Sequence, residues 1–199
     1  MTVTFSDLSG FTAMTEQLEA EDVREVMVAI FDKAAHIIDR YGGRIAGLFG
    51  DGVMAVFGDP VAHEDDAIRA VRAVIELHDA VDAMSPGIER RIGRPVRMHS
   101  GIETGMVVTS PAAFLGAVAG LLGDTVNVAA RLEDLSSTGE VLVGPNTYQL
   151  VANVVDVEGA RPGRAEGKGS TGVCPASGPR ADADGAAGFA PEPVRRSSA

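Results

Sequence analysis

The order of predicted elements indicates an α+β fold, a ferredoxin-like βααββαβ sandwich in which helices cover a β-sheet. Two patterns carry this prediction. Residues 44–59 are typical of a β-hairpin, because two short apolar runs flank Gly50-Asp51-Gly52, and Gly and Asp tolerate the positive φ of tight turns. Residues 21–41 have apolar side chains every three or four positions, which indicates a core-facing helix. With 199 residues, 45% of them hydrophobic, the chain suits one such domain and an appendage.

The first strand is predicted at residues 3–6 and is followed at once by Asp7. Residues 10–16 then have the character of a short helix whose first backbone N–H groups are free beside Asp7. Such a helix start favours phosphate oxygens. If the first strand lies beside the hairpin, Asp7 meets Asp51 at the hairpin tip.

Two carboxylates brought together in this way suit Mg²⁺, and a pair of ions about 3.5–4 Å apart could clamp a phosphoryl group. A simpler interpretation of Asp51 is a turn former without further function. The glycines around it could also be taken for a dinucleotide-binding fingerprint. That fingerprint must open a helix, whereas Gly52 opens a strand.

The middle of the chain has a further predicted helix followed by extended segments. A second long helix is predicted to start near Asp66 and to end at Pro86-Gly87, and residues 95–108 are predicted to be extended. Residues 110–123, rich in Gly, Ala and Leu, leave two interpretations open: a strand with a flexible arm, or an apolar surface for a partner.

The last predicted helix begins at Asp124-Thr125, which we expect to cap it, and runs to Leu135 before a strand at 141–143. Asn127 and Arg131 are four residues apart on this helix. Their side chains therefore leave from one face. On most helices, two such side chains are simply exposed to solvent and have no further function.

The composition changes after Glu158. Residues 159–199 hold 8 of the 24 glycines and 5 of the 10 prolines but few large apolar side chains. Such a segment cannot bury enough surface to offset its ordering entropy. We therefore predict a domain over residues 1–158 and a disordered tail over 159–199.

The net charge of −11 and the pI near 4.7 argue against nucleic acid and anionic membranes as partners. No secretory signal is visible at the N-terminus, and the most apolar run, residues 112–122, is too short to cross a bilayer. The single cysteine, Cys174, can form no intramolecular disulfide. These features predict a cytoplasmic protein.

Three segments give the sequence a specific resemblance. They are FSDLSGFT at residues 5–12, FGDGVMAVFG at 49–58 and GDTVNVAARL at 123–132. In content and order they resemble the signatures of the class III adenylate/guanylate cyclase catalytic domain. The resemblance covers roughly residues 1–158.

The resemblance implies a site that two copies of the chain share. Asp7 and Asp51 would hold two Mg²⁺ or Mn²⁺ ions, with the Leu8 carbonyl as a further ligand. Asn127 and Arg131 would stabilise the transition state from the other subunit of a homodimer. The nucleotide-binding positions implied around this site are Gly10, Phe11, Thr12, Gly50 and Lys168.

Two departures from the family pattern concern recognition of the purine base. Gly47 stands where the family usually has a base-reading Lys, and Gly120 stands where it has an Asp or Thr. A third departure concerns the family's phosphate-binding Lys-Gly element, since Glu166 falls where that charge is expected and Lys168 is the nearest substitute. The metal and transition-state residues are thus retained, while the base-reading residues are missing.

The expected function is conversion of a purine nucleoside triphosphate, ATP favoured over GTP, to the 3′,5′-cyclic monophosphate and pyrophosphate. The alternative is a catalytically weak or silent cyclase-like module that binds nucleotide and regulates. A diguanylate-cyclase-like enzyme shares the architecture, but its Gly-Gly-acid-acid-aromatic turn is absent here.

Overall fold

The structure is a computed structural model that describes residues 1–109, 120–155 and 192–193. Strands and helices alternate through it in the order that the sequence predicts, with short additions. In chain order the elements are β1 (Thr2–Ser9), α1 (Phe11–Gln17), α2 (Ala20–Arg40), β2 (Gly43–Phe49), β3 (Gly52–Phe57), α3 (Asp66–Ile92), β4 (Arg97–Thr104), β5 (Val108–Thr109), β6 (Leu121–Leu122), α4 (Asp124–Leu135), β7 (Val141–Val143), α5 (Pro145–Val151) and β8 (Glu192–Pro193).

The main sheet has the strand order β2-β3-β1-β4-β7-β8. All neighbouring strands are antiparallel except β4 and β7, which are parallel. The short strands β5 and β6 form a separate antiparallel pair. The first strand is therefore central, with the hairpin on one side and β4 on the other, and the predicted α+β fold is confirmed.

Each face of the sheet is covered by different helices. Strand side chains alternate between the faces, so Val53, Ala55 and Phe57 pack with helices α1, α2 and α3 in the larger core cluster. Met54 and Val56 point the other way and pack with Val126 and Ala129 of α4. Val3 and Phe5 of β1 belong to this second cluster, so Asp7, two residues further on, lies on the α4 face.

Helix α3 is longer than predicted, because it continues through Pro86 to Ile92. Our expectation that Pro86-Gly87 ends the helix is wrong. A proline inside a helix costs roughly 3 kcal/mol, but the turns that follow it bury Ile88 and Ile92 in the core. The Ser85 hydroxyl also accepts a hydrogen bond from the backbone N–H of Val96. Tertiary packing thus outweighs the local preference.

Two element boundaries also differ from the prediction. The first strand does not end before Asp7 but runs to Ser9, because its pairing with β4 continues to Arg97 after its pairing with β3 has stopped at Ser6. Helix α4 has Gly123 as its N-cap residue, so Asp124 lies in its first turn. The Thr125 hydroxyl donates to the carbonyl of Met106, 2.9 Å away, instead of capping the helix.

Some predictions fall on parts of the chain that the structure does not describe. Both interpretations of residues 110–123 rest largely on residues 110–119, and the predicted tail, Lys168 and Cys174 lie outside the described residues. In the described part, no helix has the length and apolar character needed to cross a membrane.

Helix α4 packs very closely on β4 at Gly101. A Cβ at Gly101 would lie 2.8 Å from the carbonyl carbon of Leu132, and closer still to backbone atoms of Ala129 and Glu133. Backbone cannot yield as a flexible side chain does. The glycine therefore sets the distance between α4 and the sheet.

We expect Gly101→Ala to lower the free energy of unfolding by about 3 kcal/mol, because the added methyl group forces α4 off the sheet. The matched control is Gly87→Ala in α3, where a Cβ meets nothing within 4 Å. That control should be neutral or more stable by about 0.5–1 kcal/mol. Urea unfolding of both variants measures the difference, and equal stabilities would contradict this account of the packing.

Candidate active site

Asp7 lies in the last part of β1, which pairs with β4 but no longer with β3. Its cross-strand neighbour on β4 is His99. The following residue, Leu8, is buried and points to the opposite face, into the larger core cluster. The side chain of Asp7 is therefore on the α4 face, half-buried beside the hairpin tip.

Asp51 is at the tip of the hairpin, directly after Gly50, whose φ is +61°. Partial burial raises the pKa of the Asp51 carboxyl, and the nearby charge of Asp7 raises it further. Gly52 allows this approach, since a Cβ there would lie 3.1 Å from Oδ1 of Asp7. The structure thus brings the two predicted carboxylates together.

Two further ionisable side chains stand beside Asp7 that sequence reasoning missed. His99 Nε2 lies 3.6 Å from Oδ2 of Asp7, and His99 Nδ1 lies 3.4 Å from Oε1 of Glu133 on α4. The facing Asp7 carboxylate raises the pKa of His99, and partial burial raises the pKa of Glu133. The sequence alone does not point to His99, because its approach to Asp7 depends on the register between β1 and β4.

The side chains present fit a divalent cation. Ionised carboxylates accept but do not donate, so the pair Asp7 and Asp51 is stabilised by positive charge between or beside them. Asp7, His99 and Glu133 each offer a ligand atom, and these three atoms lie within 4.8 Å of one another. This part of the site has the donor set of a metal centre.

The cleft at this site is small. It is lined by Phe5, Ser6, Asp7, Phe49, Gly52, Val53 and Glu133, and its volume is about 110 Å³. Pockets that hold a small organic ligand usually measure about 300–1,000 Å³. In the described part of one chain, this cleft therefore has room for an ion and a few ligand atoms but does not enclose a nucleotide.

Asn127 and Arg131 are both exposed on α4. Within the described residues, neither side chain forms a hydrogen bond or an ion pair, with Asp7 and Asp51 or with any other group. The C-terminal end of the same helix brings Glu133 to His99. One chain therefore does not gather all the predicted site residues at one point.

The other predicted positions in the described residues are at the start of α1, in β2 and just before β6. Gly10 has a φ of +99° and precedes helix α1, so Phe11 and Thr12 form the first turn of that helix. Gly47 lies at an irregularity in the β2–β3 pairing, where Ala46 is skipped in the register. Gly120 has a φ of +74° just before β6. Lys168 is outside the described residues.

The family model of the adenylate and guanylate cyclase catalytic domain matches residues 1–173. The chain is 31% identical over 176 residues to adenylate cyclase 1 of Rhizobium meliloti, an alignment that covers 85% of the chain. It is 30% identical over 172 residues to guanylate cyclase soluble subunit beta-2 of Rattus norvegicus, with 84% of the chain covered. These alignments cover only 26% and 24% of the two relatives.

Solved structures give the same result. The adenylyl cyclase CyaB from P. aeruginosa superposes with a TM-score of 0.77 at 28% identity, over 99% of this chain and 94% of that one. The guanylyl cyclase Cya2 superposes with a TM-score of 0.72 at 32% identity, over 84% and 85% of the two chains. The resemblance inferred from the three motifs is confirmed, and the chain belongs to the family of adenylate and guanylate cyclase catalytic domains.

Proposed function

We propose that the chain is a nucleotide cyclase that converts a purine nucleoside triphosphate to its 3′,5′-cyclic monophosphate and pyrophosphate. The single observation that carries this proposal is the approach of Asp51 to Asp7 across the hairpin tip. Two partly buried carboxylates at one point are costly to keep ionised unless a cation lies beside them. Membership of the cyclase family supports the same reaction.

The Asp7 and Asp51 carboxylates, with the Leu8 carbonyl, would hold two Mg²⁺ or Mn²⁺ ions. Bound there, the ions would lower the pKa of the ribose 3′-hydroxyl and neutralise charge on the triphosphate. Through these ions, the two side chains would hold the reacting end of the substrate beside the hairpin tip. The backbone N–H groups of Phe11 and Thr12, after Gly10, would bind phosphate oxygens. The hairpin tip at Gly50 is open, since even a Cβ there would meet nothing within 4 Å.

Asn127 and Arg131 would act on the metal site of the neighbouring subunit. Arg131 would donate to the oxygens of the pentacoordinate phosphorus, where negative charge increases in the transition state, and Asn127 would orient the ribose. Two observations support this arrangement: both side chains are exposed and without partners in the described part of the chain, and the cleft of one chain is too small for a nucleotide.

The catalytic unit we propose is a symmetric homodimer with two composite sites. Because each site needs two chains, activity per chain should rise with protein concentration. The exposed Met106, Val108 and Leu122 near β5 and β6 give that region an apolar surface that a second copy can cover. A cytoplasmic location, where ATP and GTP are available, completes this proposal.

We expect weak base selection. A binding pocket rejects the wrong base when that base leaves polar groups of a dry pocket without hydrogen-bond partners. Gly47 and Gly120 offer no side chain, so water can instead form hydrogen bonds to the edges of adenine and guanine alike. ATP remains the favoured substrate, but kcat/KM for ATP and GTP should differ by less than about tenfold, or roughly 1.4 kcal/mol.

The double variant Gly47→Lys, Gly120→Asp should raise turnover of ATP selectively. Aspartate is among the few residues besides glycine that tolerate the left-handed φ of +74° at Gly120. The control is Gly87→Ala on α3, where a Cβ meets nothing within 4 Å, and this variant should leave the ATP to GTP ratio unchanged. A strong preference of the wild-type chain for one nucleotide would contradict the open-pocket account.

The experiment that tests the proposed function is product analysis. The purified chain is incubated with ATP or GTP and Mn²⁺ or Mg²⁺, and the products are separated by chromatography. Cyclic nucleotide and pyrophosphate in equal amounts support the proposal. Tight nucleotide binding without any product, at concentrations where dimers form, would overturn it in favour of a silent regulatory module.

A further inference from the structure

His99 is held in one tautomer by the C-terminal end of α4. The Ser136 hydroxyl donates to the carbonyl oxygen of Glu133, 2.6 Å away, so its oxygen is left as an acceptor. His99 Nδ1 lies 3.0 Å from this hydroxyl oxygen and 3.2 Å from the same carbonyl. Because both neighbours accept, Nδ1 is the nitrogen that carries the proton.

The other ring nitrogen points to Asp7. His99 Nε2 is 3.6 Å from Oδ2 of Asp7, which is longer than a normal N–H to oxygen hydrogen bond. Two ligand atoms that each lie about 2.1 Å from one ion are separated by about 3.0 Å at an octahedral angle and about 3.4 Å at a tetrahedral angle. The Nε2 to Oδ2 separation is about 0.6 Å longer than the octahedral spacing, so a small shift of the two side chains would bring both atoms to one ion.

The surroundings of His99 are also those of a metal-binding histidine. Such histidines usually donate their second ring N–H to a backbone carbonyl or carboxylate, as Nδ1 does here. Glu133 adds a carboxylate, and one ligand atom from each of Asp7, His99 and Glu133 lies within 4.8 Å of the others. Glu133 and His99 are both largely buried, so their positions are set by packing.

We propose that His99 and Glu133 are metal ligands alongside Asp7, so that the ion at Asp7 is held by a mixed nitrogen and oxygen set instead of by oxygen atoms alone. Mn²⁺ shares the preference of Mg²⁺ for oxygen ligands but also accepts imidazole, whereas Mg²⁺ takes oxygen ligands almost exclusively, so loss of His99 should weaken Mn²⁺ binding more than Mg²⁺ binding. The inference rests on the proposed role of Asp7 as a metal ligand and extends that role to two residues that are not in the sequence motifs.

The test is metal binding to the full chain without nucleotide, so that cyclase activity does not enter the result. Mn²⁺ is titrated and followed by electron paramagnetic resonance, and the bound ion is examined by electron spin echo for coupling to an imidazole ¹⁴N nucleus. Mg²⁺ affinity is measured by displacement of Mn²⁺. The wild-type chain should show ¹⁴N coupling.

Two variants and a control separate ligation from folding. His99→Gln should lose the ¹⁴N coupling and at least about tenfold in Mn²⁺ affinity, with less than a twofold change for Mg²⁺, and Glu133→Gln should weaken Mn²⁺ binding but retain the coupling. His36→Gln, which removes an exposed histidine on α2, should change neither.

Absence of ¹⁴N coupling in the wild-type chain overturns the proposal whether or not the variants fold. Equal or tighter Mn²⁺ binding by a folded His99→Gln also overturns it, because His99 would then be a counter-ion that competes with metals.

Discussion

Asp51→Asn is expected to abolish formation of cyclic nucleotide while the chain stays folded. Asparagine keeps the size of the side chain but removes the charge that holds a divalent ion, and metal catalysis of phosphoryl chemistry is worth several kcal/mol. We therefore expect kcat/KM to fall by at least about 10³-fold. The measurement is the rate of cyclic nucleotide release at saturating metal.

The stability of this variant distinguishes a lost ligand from a lost fold. Partial burial and the charge of Asp7 raise the pKa of the Asp51 carboxyl, so the ionised form is disfavoured in the folded chain. A neutral side chain relieves that repulsion. The thermal midpoint of Asp51→Asn should then equal or exceed that of the wild-type chain. The matched control, Asp32→Asn on the exposed face of α2, should keep full activity, and wild-type turnover by Asp51→Asn would refute the metal assignment.

Arg131→Ala is expected to lower kcat by about 10²–10³-fold, because a donor aimed at developing charge contributes mainly in the transition state. Stability should not change, since Arg131 is exposed and its side chain contacts no partner within the described residues. Steady-state kinetics and a thermal melt measure the two effects. The control is Arg24→Ala, which removes an exposed arginine from α2 and should alter neither quantity. A large increase in KM at unchanged kcat would contradict a role confined to the transition state.

The central part of the fold could be predicted from local signals. The hairpin turn at Gly50-Asp51-Gly52, the apolar repeat of α2 and the short strand before Asp7 each depend on a few neighbouring residues. These elements are also the ones that carry Asp7 and Asp51. Their approach needed only one assumption, that the first strand lies beside the hairpin, and β1 does pair with β3.

What could not be predicted depends on contacts between distant residues. His99 reaches Asp7 only because β1 and β4 pair in a register that brings the two residues opposite each other, and Glu133 reaches His99 only because α4 packs against Gly101. The continuation of α3 through Pro86 has the same origin, since burial of Ile88 and Ile92 decides it. Local propensity carries no information about these contacts.

The account depends most on the claim that each active site is built from two chains. Two variants that we expect to be inactive, with defects in different halves of the site, test it: Asp51→Asn removes a proposed metal ligand, and Arg131→Ala removes the residue proposed to donate to the phosphoryl oxygens. Equal mixing gives heterodimers in half of the molecules, and each heterodimer has one intact site and one doubly defective site. Activity should recover to about a quarter of the wild-type value. A mixture that remains inactive, although differently tagged chains purify together as heterodimers, would contradict the shared site.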